Sequence, residues 1–188
     1  MQTIAELGLE YRSPEECAKT IGLPLLECFT SIIPMSDEMG QKCAETYRRI
    51  FNENNIPGAV TPFPGVIETL KKLHEKVHTI TIASSRSHHS LENFVKELEL
   101  EEYITYVRGA DDTKKAKPDP EPVLKTLSHL GEDSTKTIVV GDTKFDILMG
   151  RNAGTFTCGV TYGNGSRKEL LDAGADYIID DFRDLIEY

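Results

Sequence analysis

From residue 62 onward, short apolar runs alternate with segments whose apolar residues recur every three or four positions, and this alternation constrains the fold most. Strand-like runs separated by amphipathic helices build a mostly parallel sheet with helices on its faces. Val66, Ile67, Leu70 and Leu73 mark a first helix, Val77 to Ser84 a strand, and Leu91, Phe94, Val95 and Leu98 the next helix. A short strand is expected from Ile104 to Gly109. Pro120 opens a helix that carries Val123, Leu124, Leu127 and Leu130 on one face, and Thr137 to Gly141 reads as a buried strand ending in a polar turn. Phe145, Leu148 and Met149 then face inward. Thr155 to Val160 and Tyr177 to Ile179 are the last strands, separated by a short helix from Arg167 to Ala173.

The first sixty residues show helical periodicity and little that reads as strand. Ser13-Pro14-Glu15-Glu16 starts a helix, with proline in the first turn and acids where the helix dipole favours them. Gly22-Leu23-Pro24 interrupts the pattern. Ser36, Asp37 and Glu38 open a longer helix in which Met39, Cys43, Tyr47, Ile50 and Phe51 share a face. Asn54 to Pro64 holds three prolines and a glycine without helical pattern, so a linker belongs there. The expected division is a helical domain over 1–61 and an α/β domain over 62–188.

A formal net charge of −10 disfavours nucleic-acid partners, which select for a basic face. No apolar run is long enough for a membrane span, so no membrane partner is expected. Cys17, Cys28, Cys43 and Cys158 lack CxxC spacing and read as reduced packing residues, which predicts a cytoplasmic protein.

In open parallel sheets, ligands sit outside the carboxyl ends of the strands. Ser84-Ser85-Arg86 ends the first core strand, Lys117 lies in the loop after the second, and Asp142 ends the third. All should converge on one edge. In Gly141-Asp142-Thr143-Lys144-Phe145-Asp146, four-residue spacing across a first helical turn puts the two carboxylates near one point. Such oxygens suit Mg²⁺, although Asp142 could equally be a helix cap. Pro118, Pro120 and Pro122 stiffen the loop that follows Lys117, where an ammonium can neutralise phosphate; a solvated lysine in a basic patch with Lys114 and Lys115 is the competing account. Ser84 and Ser85 precede a helix, so a hydroxyl and backbone N–H groups can face an anion; plain N-capping is the competing account.

Together, Thr-Ile-Ala-Ser-Ser, Lys117-Pro118 and Gly-Asp-Thr-Lys-Phe-Asp resemble motifs II, III and IV of the haloacid dehalogenase superfamily. Gly109-Ala110-Asp111-Asp112 and Ala173-Gly174-Ala175-Asp176-Tyr177 resemble its phosphoglycolate-phosphatase-like branch. The resemblance implies a Rossmann-like core over 62–188, preceded by an incomplete helical cap over 1–61. It implies Mg²⁺-dependent hydrolysis of a small phosphorylated metabolite, such as phosphoglycolate or a sugar phosphate. Ser84 would bind the phosphoryl group, with Ser85 and Arg86 beside it; Lys117 would neutralise it, Asp142 would hold Mg²⁺ and Asp146 would support that site.

Members of the superfamily open with a strand ending in Asp-x-Asp-Gly-Thr, whose first aspartate attacks phosphorus and whose second moves protons. No Asp-x-Asp-Gly occurs in these 188 residues. The expectation is a phosphatase truncated or inactive as written, with weak Mg²⁺ binding, or else a silent phosphate-binding scaffold. The absent strand is the family's central one, so its neighbours should need new backbone partners or a rearranged sheet. Ser87-His88-His89-Ser90 reads as a polar helix start, Gly163-Asn164-Gly165 as a turn, and His74, His78 and His129 as surface histidines.

Overall fold

The computed structural model describes residues 1–54, 58 and 60–188. The linker expected over Asn54 to Pro64 thus lies partly outside the described residues. The chain divides into two compact units, Met1–Thr61 and Pro62–Tyr188.

The first unit is helical, with α1 (Gln2–Glu6), α2 (Pro14–Ala18), α3 (Leu25–Thr30) and α4 (Asp37–Asn54). The Ser13 side chain accepts from the Glu16 amide while Glu16 reaches back to the Ser13 N–H, closing a capping box at α2. Buried Ile4, Phe29, Ile33 and Cys43 form its core, with Leu7, Leu25 and Met39 packed against them. Gly40 lets α3 and α4 approach, because a Cβ there would lie 3.1 Å from Thr30 Cγ2.

The second unit runs α5 (Val66–Glu75), β1 (Thr81–Ala83), α6 (His88–Glu97), β2 (Tyr106–Arg108), α7 (Glu121–Leu130), β3 (Ile138–Gly141), α8 (Lys144–Asn152), β4 (Phe156–Val160), α9 (Arg167–Asp172) and β5 (Tyr177–Ile179). Every strand pair is parallel. The strand expected from Val77 begins four residues later. Val77 has φ +65, is 90% exposed and donates its N–H to the His74 carbonyl, so it terminates α5. Its β-branched side chain favours a strand, and the helix ending overrides that preference.

The strands form two sheets, β1-β2 and β3-β4-β5. Both lie between the same two layers. On one face, Ala83 of β1 and Val139 of β3 pack on a single cluster of Val123 and Leu127 from α7, Met149 from α8 and Ala153 at the end of α8. On the other, Ile82 joins Leu70, Val95 and Leu100, and Ile138 and Val140 join Cys158, Val160, Ile179 and Leu185. Phe182 touches both of those clusters. β4 is almost wholly buried, whereas all of β3 is only half-buried. Among the described residues the four cysteines are free thiols, and no helix is long and apolar enough to cross a membrane.

Candidate active site

The end of β1 leads directly into α6. Ser84 donates its N–H to the Arg108 carbonyl at 3.0 Å, which keeps it in register with β2. Its hydroxyl accepts from the Arg86 amide at 3.2 Å, and Ser87 caps α6. Arg86 lies over the Phe94 ring, 4.6 Å from its centroid. Two acids that follow β2 tie down the same helix start. Asp111 Oδ1 accepts from the His88 N–H and Asp112 Oδ2 contacts His88 Nδ1, both at 2.7 Å. The Gly109 N–H also donates to Asp112, and a Cβ on Gly109 would lie 2.2 Å from the His88 nitrogen. The hydrogen bond to Asp112 raises the His88 pKa above its ordinary value, with the charges of Asp112, Glu92 and Asp111 adding to it. Burial pushes the Asp112 carboxyl up, but the bonds from His88 and Gly109 outweigh it and leave the group below its usual range.

The Lys117 loop is held at both ends. Glu121 accepts from the amides of Lys114 and Lys115 at 3.1 and 2.9 Å and pairs with Lys125 at 2.8 Å. Lys125 and then those amides bring the Glu121 carboxyl down to about 2. Asn152 of α8 donates to the Pro118 carbonyl at 3.0 Å. The Lys117 ammonium meets Asp146 Oδ1 at 2.6 Å, with the two side chains only 13% and 9% exposed. The loop after β2 and the helix after β3 therefore meet at one sheet edge, as the strand-end argument expected.

At the end of β3 the helix cap is Thr143. Asp146 Oδ2 accepts from the Thr143 N–H at 3.1 Å and from its hydroxyl at 2.6 Å. Gly141 is required by this arrangement, since a Cβ there would lie 2.2 Å from Asp146 Cβ. Asp142 is left outside the cap. Its Oδ2 accepts from the Asn164 N–H and side-chain amide at 2.8 and 2.9 Å, and its carbonyl accepts from the Gly165 N–H at 2.9 Å. Gly163 and Gly165 make this approach possible, because a Cβ on either would lie 2.3 Å from an atom of Asp142. The segment expected to be a simple turn thus cradles the strand-end carboxylate. Its signal in the sequence was the pair of glycines flanking an amide residue, which spacing alone could not link to Asp142. Nearby Tyr162 packs on Phe63 with ring centroids 4.8 Å apart, and burial followed by the charges of Cys158, Asp181 and Asp142 pushes its hydroxyl up to about 12.

Among the described residues no group of three His, Cys, Asp or Glu side chains is arranged to hold a metal. Mg²⁺ is commonly held by one or two carboxylates, with water and substrate phosphate completing the shell. Asp142 suits that mode, since its Oδ1 takes no hydrogen bond from the described residues. Asp146 differs, because Lys117 and Thr143 engage both of its oxygens. Ser84 stands at the end of β1 and is not hydrogen-bonded to Lys117, Asp142 or Asp146 among the described residues.

A family model described as haloacid dehalogenase-like hydrolase matches residues 1–160. A pyrophosphatase PpaX from Anoxybacillus flavithermus is 33% identical over 172 residues, covering 92% of this chain and 78% of the relative. A phosphoglycolate phosphatase from Aquifex aeolicus is 32% identical over 162 residues, covering 86% of this chain and 75% of that protein. In fold, the chain superposes on a haloacid dehalogenase-like hydrolase from Streptococcus pneumoniae with a TM-score of 0.86 at 23% identity, covering 99% and 86% of the two chains.

Proposed function

This chain belongs to the haloacid dehalogenase-like hydrolase family, and from that premise we propose that it is a cytoplasmic, Mg²⁺-dependent phosphatase of a small phosphorylated metabolite. Phosphoglycolate, a sugar phosphate or pyrophosphate is the class of substrate, the first and last being what two relatives are named for. The observation that carries the proposal is the 2.6 Å contact between Lys117 and Asp146, which fixes a cation beside the strand-end carboxylates.

Ser84, with the hydroxyl of Ser85 and the Arg86 guanidinium next to it, receives the phosphoryl oxygens at the start of α6, where a helix favours an anion. Lys117 neutralises the phosphoryl charge as a point charge. Asp146 holds that ammonium in place and thereby supports the neighbouring site. Asp142 offers the carboxylate oxygen that would hold Mg²⁺. Bound Mg²⁺ supplies charge neutralisation to phosphoryl oxygens.

A second reading, a silent phosphate-binding protein with the same site, is favoured by one observation. These 188 residues hold no Asp-x-Asp-Gly, and both oxygens of Asp146 are already engaged by Lys117 and Thr143, so that carboxylate is not poised to attack phosphorus. Binding without a positioned nucleophile lowers no chemical barrier specifically. Calorimetry with inorganic phosphate and Mg²⁺, run beside turnover of p-nitrophenyl phosphate and phosphoglycolate, separates the readings. Turnover that disappears in Asp142→Ala establishes the phosphatase. Phosphate binding that is lost in Lys117→Ala, without turnover in the parent chain, establishes the silent binder. A parent chain that neither binds phosphate nor turns over either ester refutes both.

A further inference from the structure

A second carboxylate governs the loop on which Asp142 rests. That loop runs from Thr161, just past β4, to Ser166, the N-cap of α9, and Asn164 and Gly165 at its middle are the residues that donate to Asp142. Asp180, the residue after β5, bonds both of its ends. Its Oδ1 accepts from the Thr161 hydroxyl at 2.5 Å, and its two oxygens accept from Arg167 Nη2 at 2.8 and 2.7 Å. The Thr161 N–H donates to the Ile179 carbonyl at 3.2 Å, which carries the β4-β5 ladder one step past the strands and sets Thr161 beside Asp180. Ser166 and Glu169 close a capping box, so Arg167 sits on a fixed first turn of α9. The segment 162–166 is thereby closed by one side chain.

Stability does not account for this pair. Arg167 and Asp180 are 51% and 69% exposed, and an exposed ion pair adds little to folding. β3 and β5 flank β4, so the ends of those two strands stand roughly 9–10 Å apart, and both Asp180 oxygens are already engaged. Beyond its bare charge, Asp180 can act on an ion at Asp142 only through the loop. What it fixes is geometry. A loop joined at its ends has lost much of the freedom with which Asn164 and Gly165 could leave Asp142. Those two residues occupy Asp142 Oδ2 and the Asp142 carbonyl, and Oδ1 is the oxygen that takes no hydrogen bond from the described residues.

We propose that Asp180 is a positioning residue for the Mg²⁺ site: by joining Thr161 to Arg167 it holds the Asn164-Gly165 cradle closed and so sets which oxygen of Asp142 meets the ion. The proposal rests on the reading of Asp142 as the Mg²⁺ carboxylate and deepens it by naming what keeps that carboxylate still.

The test uses the full chain and two readouts, amide hydrogen exchange by NMR without metal or phosphate, and Mg²⁺ affinity by calorimetry. In Asp180→Ala the Asn164 and Gly165 amides should exchange about tenfold faster or more, since exchange reports local opening, while the amides of β3 and β4 keep the parent's rates. Mg²⁺ affinity should fall about three- to tenfold, less than the roughly 10–100-fold typical of a group bonded directly to a metal ligand. Two further variants separate position from charge. Asp181→Ala removes an equal charge one residue on and leaves the loop's ends joined, so its affinity should stay near the parent's. Asp180→Asn lacks the charge but keeps an acceptor for the Thr161 hydroxyl, and should regain most of the affinity lost in Asp180→Ala. The proposal is overturned if Asn164 and Gly165 exchange at parent rates in Asp180→Ala, or if Mg²⁺ affinity is unchanged despite their faster exchange. It is equally overturned if Asp181→Ala and Asp180→Asn lose as much affinity as Asp180→Ala, which would make the effect one of charge. A parent chain that binds no Mg²⁺ refutes the metal reading of Asp142 and this role with it, whereas unchanged exchange beside Mg²⁺ binding in the parent refutes the role alone.

Discussion

Asp146 bonds at once to the ammonium of Lys117 and to the backbone and hydroxyl of Thr143, so one carboxylate both starts α8 and fixes the cation of the site. Removing one partner of such a nearly buried pair leaves the other charge uncompensated, at a cost of about 3–5 kcal/mol. Asp146→Ala is expected to lose at least that much in urea unfolding, since the cap is lost as well. Lys117→Met should lose less, because the apolar stem is kept and Asp146 retains its Thr143 bonds. Equal losses in the two variants would contradict the dual role.

Asp142 depends on a loop far along the chain. Gly163→Ala places a methyl group 2.3 Å from Asp142, and the two cannot both keep their positions. The variant is expected to weaken Mg²⁺ binding while leaving the melting temperature within a few degrees, about 1 kcal/mol for a domain of this size. Asn164→Ala should act in the same direction and more weakly, since it removes only the side-chain bond to Asp142 Oδ2. Unchanged Mg²⁺ affinity in Gly163→Ala would remove Asp142 from the metal site.

Gly141→Ala tests the exit from β3. The added Cβ lies 2.2 Å from Asp146 Cβ, and overpacking of a tight core position costs about 1–3 kcal/mol. Thermal unfolding should fall accordingly, and Gly141→Ala should cost less in an Asp146→Gly background than in the parent, because the contested space is then vacant.

The His88–Asp112 pair makes stability depend on pH at both ends of its range. The His88 pKa is raised above 6.5, so its contribution is full below that unfolded value and is lost as pH rises through the higher folded one. The Asp112 pKa is lowered below 3.8, so its contribution is present above that value and is lost as pH falls through the lower folded one. The melting-temperature difference between the parent and His88→Ala should therefore be largest at about pH 5–6 and shrink on going to about pH 9. A difference that grows with rising pH would refute the pairing.

The alternation of apolar runs made the order of strands and helices legible, and the strand-end rule brought Lys117 to Asp146 without any coordinates. Val77 escaped because nothing local marks a β-branched residue as a left-handed helix stop. The cap role of Thr143 escaped because Asp142 and Thr143 are both good caps and only the position of Asp146 selects between them. The Asn164 cradle is a contact across 22 residues, and periodicity carries no information about such pairings. Neither new backbone partners nor a rearranged sheet, the outcomes expected of the sequence, is seen: among the described residues β1 pairs only with β2, and β3 only with β4.

α8 carries its site residue one position away from the deepest core. Asp146 is followed by Ile147 at 0% exposure and by Met149 at 2%, which packs with α7 under both sheets. A change of volume at Met149 cannot be absorbed at the surface, so it rotates or slides the helix and carries the lysine's anchor with it. Mutational drift in this part of the interior should then be correlated, with substitutions at Val123, Leu127 and Met149 arising together to keep one ammonium stationary.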